Sequence, residues 1–288
     1  MSVPLLNGSG CLDALTAPDV ARQLDGFVTK TITPLPREGN PPPRIAETEY
    51  GMLNSIGLQG PGIGAFVADV LPRLAALEVP LWVSVGGFSA ADFAHVCARL
   101  DEHDAVDTIE LNLSCPNVDE APETSAELVA AARAVTSKRL FAKLSPASSN
   151  IAEAARAVVA SGADGLTLVN TIRGLALDPR TLSPTLARAV GGYSGPALRP
   201  IALACVFACA QAVDVPVVGL GGVRSGLDAL ELVAAGASVV ALGTVLFADP
   251  AAPTRIRAEL ETEAGRRGFP QASDARGVAG KNAQLQRI

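Results

Sequence analysis

Short apolar runs alternate with segments of helical periodicity along most of this chain. The apolar runs predict strands, and the segments between them predict helices. The predicted strands comprise residues 3–10 (a short strand with a tight loop), 26–33, 81–85, 108–113, 140–144, 165–169, 217–220 and 238–242. The predicted helices comprise residues 65–77, 90–100, 125–135, 151–161, 201–213, 227–235 and 251–265.

The order of these elements predicts the fold class. Strands that are apolar on both faces and alternate with helices indicate a parallel sheet covered by helices. Eight such strands fit an α/β fold of the (β/α)8 TIM barrel type, which commonly takes about 250 residues. No linker or change of composition marks a second domain. We therefore expect residues 1–288 to form a single domain, with a partly ordered polar tail at 266–288.

Three segments interrupt the alternation. Residues 34–43 contain five prolines, which predict an extended loop. Residues 51–62 are too rich in glycine for a helix or a regular strand. A polar excursion marked by glycine and proline is predicted to run from the strand end at residue 171 to residue 200.

Composition and charge exclude several classes of function. The net charge is −6 and no basic cluster is present, which argues against nucleic acid or an anionic membrane as a partner. The longest strongly apolar stretch, residues 201–210, is too short to span a membrane. The chain has five cysteines without a CxxC pair and two histidines outside any metal-ligand cluster. We therefore expect a soluble cytoplasmic protein with reduced thiols and no metal.

In a barrel, functional groups collect at the carboxyl ends of the strands and in the loops that follow. Amides, lysines and glycines dominate these positions, and carboxylates are almost absent. The groups at the predicted strand ends are Asn7, Ser9, Lys30, Ser84, Asn112, Cys115, Lys143, Asn170, Thr171, Gly221, Gly222, Gly243 and Thr244.

The stretch from Glu110 to Asn117 carries the group with the most distinctive chemistry. Pro116 cannot continue a sheet ladder, so the strand stops and Cys115 begins a loop. A buried structural cysteine is one interpretation, because cysteine is among the most buried residue types. The other is a proton acceptor, because a thiol can act as a base where its thiolate is assisted.

Glycine clusters predict a phosphate site. Residues 218–226 and 242–244 follow the last two predicted strands, where backbone N–H groups commonly bind phosphate in barrels. Residues 191–195 add a third cluster before another helix. Each cluster alone could form an ordinary turn. Together they favour a cofactor or substrate that carries phosphate.

Lys30 and Lys143 lie within apolar strands, where a lysine must reach the rim or meet an anion. Two cations beside a phosphate site suit an isoalloxazine, whose reduced form carries negative charge near N1. The asparagines at 54, 112, 117 and 170 could bind a planar, amide-rich ring, because each offers a donor and an acceptor. The alternative is that both lysines pair with structural carboxylates.

At these residues the chain resembles the catalytic subunit of the dihydroorotate dehydrogenases, in the soluble class whose active-site base is cysteine. It is most similar to the NAD-linked two-subunit form, whose partner subunit carries FAD and an iron–sulfur cluster. The matching segments are residues 7–10, 30–33, 39–44, 54–58, 112–117, 143–144, 170–174, 191–200, 221–222 and 243–244.

The resemblance implies FMN as cofactor and oxidation of dihydroorotate to orotate in de novo pyrimidine (UMP) biosynthesis. Cys115 would take the C5 proton while C6 gives hydride to flavin N5. Lys30 would lie between flavin and substrate, and Lys143 would face flavin N1/O2. The implied substrate-binding residues are Lys30, Asn54, Ser55, Ile56, Gly57, Leu58, Asn112, Asn117, Asn170 and Thr171. The implied cofactor-binding residues are Ser9, Lys30, Thr31, Ser84, Asn112, Lys143, Val169, Gly195, Gly221, Gly222, Gly243 and Thr244.

Three features depart from the family pattern. Ser84 stands where this class often has asparagine. The sequence begins almost at the first predicted barrel strand, so we expect the leading segment of the family pattern to be missing and the barrel bottom to be less covered. Residues 118–124 form a shorter loop after Cys115 than in two-subunit relatives and lack their glycines, so closure over the substrate is expected to differ.

Two other functions remain open at this point. A dihydropyrimidine dehydrogenase-type subunit acting on uracil or thymine shares flavin and a loop cysteine, but tends to have histidine where Asn117 stands. A flavin-free barrel that binds a phosphorylated metabolite is the second. The electron acceptor is open between NAD through a partner subunit and fumarate. The assembly is open between a homodimer and a heterotetramer with the electron-transfer subunit.

Overall fold

The computed structural model describes residues 2–113 and 124–285, with side chains described as far as residue 281. Eight parallel strands form the main sheet, in the order β1-β12-β11-β8-β7-β6-β5-β2. These strands are β1 (Leu5–Asn7), β2 (Phe27–Val28), β5 (Leu81–Val85), β6 (Thr108–Asn112), β7 (Arg139–Leu144), β8 (Gly165–Leu168), β11 (Val217–Leu220) and β12 (Val239–Leu242). The predicted (β/α)8 barrel is confirmed.

A buried side chain closes the barrel between β1 and β2. Leu6 and Gly26 form a single parallel bridge there. Asn7 Nδ2 donates to the carbonyl of Val28 at 2.7 Å, and the Val28 N–H donates to Asn7 Oδ1 at 2.8 Å. Because Asn7 is fully buried, its amide takes the place of a ladder hydrogen bond. Asn7, which the sequence placed among the strand-end groups, therefore has a structural role.

Helices cover the outer face of the barrel. They are α1 (Pro18–Ala21), α2 (Gly62–Ala65), α3 (Leu71–Ala75), α4 (Ala90–Asp101), α5 (Ser125–Arg133), α6 (Ile151–Ala160), α7 (Arg199–Ala210), α8 (Gly226–Ala235), α9 (Val245–Ala248), α10 (Ala252–Arg266) and α11 (Val278–Leu285). A π-helical turn, Phe66–Val70, joins α2 to α3. Two 3-10 helices, Pro196–Leu198 and Ala272–Ala275, precede α7 and α11. No helix within the described residues is long and apolar enough to span a membrane.

The two faces of the strands bury different cores. Outward-facing side chains such as Ile109 and Leu111 belong to the large cluster shared with the helices. A smaller cluster fills the barrel interior, where the rings of Trp82 and Phe141 lie 4.6 Å apart. Fully burying each such side chain contributes about 1.5–3 kcal/mol. This packing holds the strand ends, and the polar groups that they carry, in fixed positions.

A second sheet lies outside the barrel ladder, in the order β3-β4-β10-β9, with antiparallel pairs. Its strands are β3 (Ile45–Thr48), β4 (Gly51–Asn54), β9 (Ile172–Leu175) and β10 (Val190–Ser194). The expectation that residues 51–62 contain no regular strand is therefore wrong. The excursion from 171 to 200 likewise contains two strands.

Close packing explains these glycine-rich strands. A Cβ on Gly51 would lie 2.2 Å from the Ser194 carbonyl oxygen, and one on Gly192 would lie 2.1 Å from Thr171 Oγ1. Glycine in a strand can mark close approach of another group as well as a break. Here it marks close approach.

Candidate active site

A chain of side-chain hydrogen bonds crosses the barrel mouth at the strand ends. Asn170 Nδ2 donates to Asn112 Oδ1 at 2.9 Å, and Asn112 Nδ2 donates to Thr31 Oγ1 at 3.2 Å. Thr31 shares a hydrogen bond of 3.0 Å with Ser84 and one of 3.5 Å with Ser9. Because each amide both accepts and donates, the chain fixes the orientation of both asparagines. Five residues predicted for the site are thus brought together.

Lys30 stands on one side of this mouth and is exposed to solvent. Its Nζ donates to the carbonyl of Gln59 at 2.5 Å. Although the residue is exposed, partial desolvation of its ammonium group lowers the pKa of Lys30, and the nearby Arg44 guanidinium lowers it further. Arg44 in turn donates to Gln59 Oε1 at 2.7 Å. Lys30 therefore lies in a positive environment that would favour an anionic ligand.

Lys143 has different surroundings, deep in the barrel. Its Nζ lies 3.5 Å from Glu110 Oε1, and the two side chains are 6% and 3% exposed. Lys143 thus pairs with a carboxylate, as the alternative interpretation of these lysines expects. Burial raises the pKa of the Cys11 thiol, Lys143 opposes this shift and Glu110 adds to it.

The loop after β4 presents backbone donors. The carbonyls of Ser55, Ile56 and Gly57 accept hydrogen bonds from Asn40 Nδ2, Asn40 N and Arg37 Nε at 3.1, 2.9 and 3.3 Å. Since the N–H of a trans peptide points opposite to its carbonyl, the N–H groups of Ile56, Gly57 and Leu58 point away from these partners. Gly57 and Leu58 have φ values of 78° and 56°. Such a run of N–H groups can bind a carboxylate.

Asn54 and Thr171 both contact Gly192 of the small sheet. Asn54 Nδ2 donates to the Gly192 carbonyl at 3.3 Å. Thr171 packs on Gly192 so closely that any side chain there would displace it. The Thr171 N–H donates to Asn170 Oδ1 at 2.8 Å, which links this pair to the hydrogen-bond chain of the mouth.

Glycines with positive φ shape the loops that face the start of α7. Gly195, Gly221 and Gly222 have φ values of 117°, 137° and 75°. A Cβ on Gly222 would lie 2.7 Å from Arg199 Cβ, and one on Gly221 would lie 2.7 Å from Ala202 Cβ. Only glycine fits this conformation at this separation. The result is a backbone cradle of the kind that binds phosphate.

Salt bridges hold the cradle in shape. Asp228, in the first turn of α8, accepts the N–H groups of Arg224 and Ser225 at 2.8 and 3.1 Å. Arg199 pairs with Asp228 and also with Glu231, the latter at 2.6 Å. Gly243 and Thr244 directly follow β12. Within the described residues, no group of His, Cys, Asp and Glu could hold a metal ion.

Val169 is buried after β8, and its N–H donates to the Leu220 carbonyl at 2.8 Å. Ser114, Cys115 and Asn117 lie outside the described residues, as do residues 118–123 of the loop that follows. The assignments of Cys115 and Asn117 therefore remain predictions.

Three residues of the site were missed in the sequence. Glu110 alternates in phase with Asn112, so its inward direction could have been read from the strand period of two. Cys11 directly follows the first glycine loop. Gly192 was counted only as part of a glycine cluster, because its contact with Thr171 depends on the pairing of the small sheet.

Comparison with known proteins identifies the family. A family model described as dihydroorotate dehydrogenase matches residues 1–263. A Solibacter usitatus protein named putative dihydroorotate dehydrogenase A (fumarate) is 46% identical over 262 residues, covering 88% of this chain and 86% of that protein. The dihydroorotate dehydrogenase B (NAD(+)) catalytic subunit of a Geobacillus species is 39% identical over 292 residues, covering 98% and 93%.

A solved structure is also similar. The dihydroorotate dehydrogenase of Eimeria tenella, crystallised with ferulenol, superposes with a TM-score of 0.80 at 23% identity, covering 96% of this chain and 85% of that one. This likeness supports the fold alone. The family match and the curated relatives confirm the resemblance inferred from the strand-end motifs. The chain belongs to the dihydroorotate dehydrogenase family.

Proposed function

We propose that this chain binds FMN across the carboxyl ends of its barrel strands and oxidises dihydroorotate to orotate, a step of pyrimidine biosynthesis. Family membership supports the reaction. The observation that carries the site assignment is the hydrogen-bonded chain from Asn170 through Asn112 to Thr31, flanked by Lys30 and Lys143. These groups match a planar ring with several amide functions.

The residues present fit FMN. The positive-φ glycines 195, 221 and 222, with Gly243 and Thr244, form a cradle for its phosphate. We assign Ser9, Thr31, Ser84, Asn112 and Val169 to contacts with the flavin, and Lys143 to the cation beside its ring. When bound, FMN accepts the hydrogen that leaves C6 together with its two electrons.

The protein's own groups perform the rest of the reaction. Cys115 removes the C5 proton of dihydroorotate as general base. Asn54, Asn112, Asn117, Asn170 and Thr171 hold the pyrimidine ring. Backbone N–H groups at Ile56, Gly57 and Leu58, beside Ser55, bind the carboxylate. Lys30 adds a positive charge, so the anionic substrate is oriented before any bond changes.

For the electron acceptor we propose NAD, reached through a partner subunit that carries FAD and an iron–sulfur cluster. Support comes from the Geobacillus relative, which is named a catalytic subunit and aligns with 98% of this chain. Exposed apolar side chains on and beside the small sheet offer contact area for another chain. They include Ile45, Leu175 and Leu182, which are 54%, 55% and 71% exposed.

Within such a complex, two copies of this barrel would form a homodimer. The Solibacter relative is named for fumarate, so direct reduction of fumarate is the competing proposal. Rapid turnover of fumarate by the purified chain alone would overturn the NAD assignment. Co-purification of an iron–sulfur flavoprotein from the native host would support it.

The experiment that tests the activity is anaerobic reduction of bound FMN by dihydroorotate, followed by the loss of flavin absorbance. Cys115→Ala should keep the FMN but lose roughly a hundredfold to ten-thousandfold in reduction rate, the usual contribution of a general base. Cys205→Ala is the matched control, because Cys205 lies in α7 within the helix-facing core. Its rate should stay close to that of the parent protein.

Three outcomes would contradict this proposal. A protein that stays colourless after addition of FMN is not a flavoprotein. Faster reduction by dihydrouracil than by dihydroorotate would indicate a dihydropyrimidine dehydrogenase-type activity. Reduction of Cys115→Ala at the parent rate would remove Cys115 from the role of base.

A further inference from the structure

Asn40, in the proline-rich loop that precedes β3, contacts the loop after β4. Its side-chain Nδ2 donates to the Ser55 carbonyl at 3.1 Å and to Ser55 Oγ at 3.0 Å. Its backbone N–H donates to the Ile56 carbonyl at 2.9 Å. Asn40 itself is not one of the proposed ligand-binding residues.

These hydrogen bonds fix the orientation of two peptide planes. The carbonyl of one residue and the N–H of the next belong to the same plane and point in opposite directions. A donor that holds the Ser55 carbonyl therefore orients the Ile56 N–H, and one that holds the Ile56 carbonyl orients the Gly57 N–H. Both N–H groups point away from Asn40. No hydrogen bond joins either of them to another described residue.

Close packing between the two loops restricts other arrangements. Gly57 has a φ of 78°, and a Cβ there would lie 2.7 Å from Asn40 N and 2.8 Å from Asn40 Oδ1. Gly39 has a φ of 81°, and a Cβ there would lie 2.4 Å from the Ile56 carbonyl oxygen. Glycine is needed at both positions, because a side chain would separate the loops. The geometry of the N–H groups thus depends on contact with Asn40.

We propose that Asn40 is a positioning residue that orients the Ile56 and Gly57 N–H groups toward the substrate carboxylate. It thereby sets the preference for a pyrimidine that carries a carboxylate over one that does not. The inference rests on the proposed function, which assigns these N–H groups to the carboxylate. The physical cause is preorganisation, because donors that are already aligned need not be reordered when the anion binds.

The neutral side chain of Asn40 makes this role testable. Arg37 Nε donates to the Gly57 carbonyl at 3.3 Å and orients the Leu58 N–H in the same way. Substitution of Arg37 would also remove a positive charge, so its effect on anion binding would have two causes. Asn40→Ala leaves the net charge unchanged. Weaker binding of the anion by this variant therefore reports on the orientation of the N–H groups.

The first test is the reduction of bound FMN by dihydroorotate in anaerobic single turnovers. Asn40→Ala should raise the half-saturating concentration about tenfold, the effect of one lost hydrogen bond to a charged group. Its limiting rate should stay close to that of the parent protein, because the carboxylate is bound both before and during the reaction. Leu35→Ala is the matched control, because Leu35 lies in the same loop and is 74% exposed. An Asn40→Ala variant with the parent half-saturating concentration would overturn the inference.

Amide hydrogen exchange followed by mass spectrometry gives a readout other than activity. In the FMN-loaded parent protein, orotate should slow exchange at the Ile56 and Gly57 N–H groups. In Asn40→Ala saturated with orotate, this protection should be smaller. Exchange at these two positions that does not respond to orotate in the parent protein would overturn the inference, and this measurement decides if Asn40→Ala fails to fold.

Uracil separates this role from a merely structural one, because it has the same ring without the carboxylate. Its inhibition of flavin reduction should be the same in Asn40→Ala and the parent protein. Equal losses of affinity for uracil and orotate would overturn the inference, and hydrogen exchange decides if uracil inhibits neither protein. A parent protein that does not bind FMN, or whose flavin dihydroorotate does not reduce, would instead overturn the proposed function.

Discussion

Two lysines at the ends of barrel strands have opposite surroundings. Lys143 is buried and faces the Glu110 carboxylate at 3.5 Å. Lys30 is exposed and faces a backbone carbonyl, with Arg44 nearby as a second cation. We call the first cluster, Lys143 with Glu110 and Cys11, the floor. We call the second, Lys30 with Gln59 and Arg44, the rim.

Because of this difference, we expect the two lysines to have different roles. On the floor, the charge is compensated before any ligand arrives, so the lysine contributes to the stability of the fold. At the rim, partial desolvation and Arg44 lower the pKa of Lys30, and an anion would offset both effects. Floor substitutions should therefore change stability first, whereas rim substitutions should change ligand binding first.

The largest expected effect comes from removing the floor lysine. Lys143→Met leaves Glu110 buried without its partner, and breaking such a pair costs about 3–5 kcal/mol. Lys30→Met is the matched control, and as an exposed substitution it should change stability by no more than about 0.5 kcal/mol. Urea unfolding of both apoproteins measures the contrast. Equal losses would show that the floor and rim do not differ in this way.

The rim lysine should affect binding of the anionic product. A hydrogen bond to a charged group contributes about 1.5–3 kcal/mol, so Lys30→Met should weaken orotate binding to the FMN-loaded protein by roughly tenfold to a hundredfold.

The pH dependence of that binding has a definite sign. Because the pKa of Lys30 is lowered, the cation is lost at a lower pH than for an ordinary lysine. The orotate affinity of the parent protein should fall as the pH rises through this range, and that of Lys30→Met should stay flat. Calorimetric titration measures both. A flat parent profile would contradict the assignment of Lys30 to the substrate.

The contrast between floor and rim was only half predictable from the sequence. Both lysines stand out because they interrupt apolar strands, and strand alternation places them at the carboxyl ends. The barrel itself follows from the same alternation. The partner of Lys143 does not, because Glu110 lies on the neighbouring strand and the stagger of the barrel decides which inward-facing groups meet. Resemblance to a family likewise assigns Lys143 to a cofactor without naming its counter-ion.

The small sheet was missed for a related reason. Gly51, Gly191 and Gly192 have low strand propensity, and local pattern alone predicts a loop there. Their place in a sheet depends on close contacts with Ser194, Asn54 and Thr171. Such contacts join segments that are distant in sequence. Local propensity therefore fails where tertiary packing selects glycine.

Gly192→Ala should lower both the stability of the protein and its affinity for orotate, unlike the substitutions in the floor and the rim. Its new Cβ would lie 2.1 Å from Thr171 Oγ1, so Thr171 must move. Overpacking of this kind costs about 1–3 kcal/mol, and loss of Thr171 should weaken orotate binding as well. Gly64→Ala is a suitable control, because nothing lies within 4 Å of its added Cβ. Parent-like binding by Gly192→Ala would remove Thr171 from the substrate site.

The smallest effect should be seen in thiol reactivity, which tests whether the floor is closed to solvent. Burial raises the pKa of Cys11 and Cys205, and raises the pKa of Cys97 and of Cys209 to about 12. Because the thiolate is the nucleophile, these four thiols should react slowly with iodoacetamide near pH 8. In the Cys115→Ala protein, peptide mass spectrometry should find each of them modified at least about tenfold more slowly than a free cysteine with a pKa of about 8.5. Rapid modification of Cys11 would show that solvent reaches the floor. The ion pair between Lys143 and Glu110 would then not be buried.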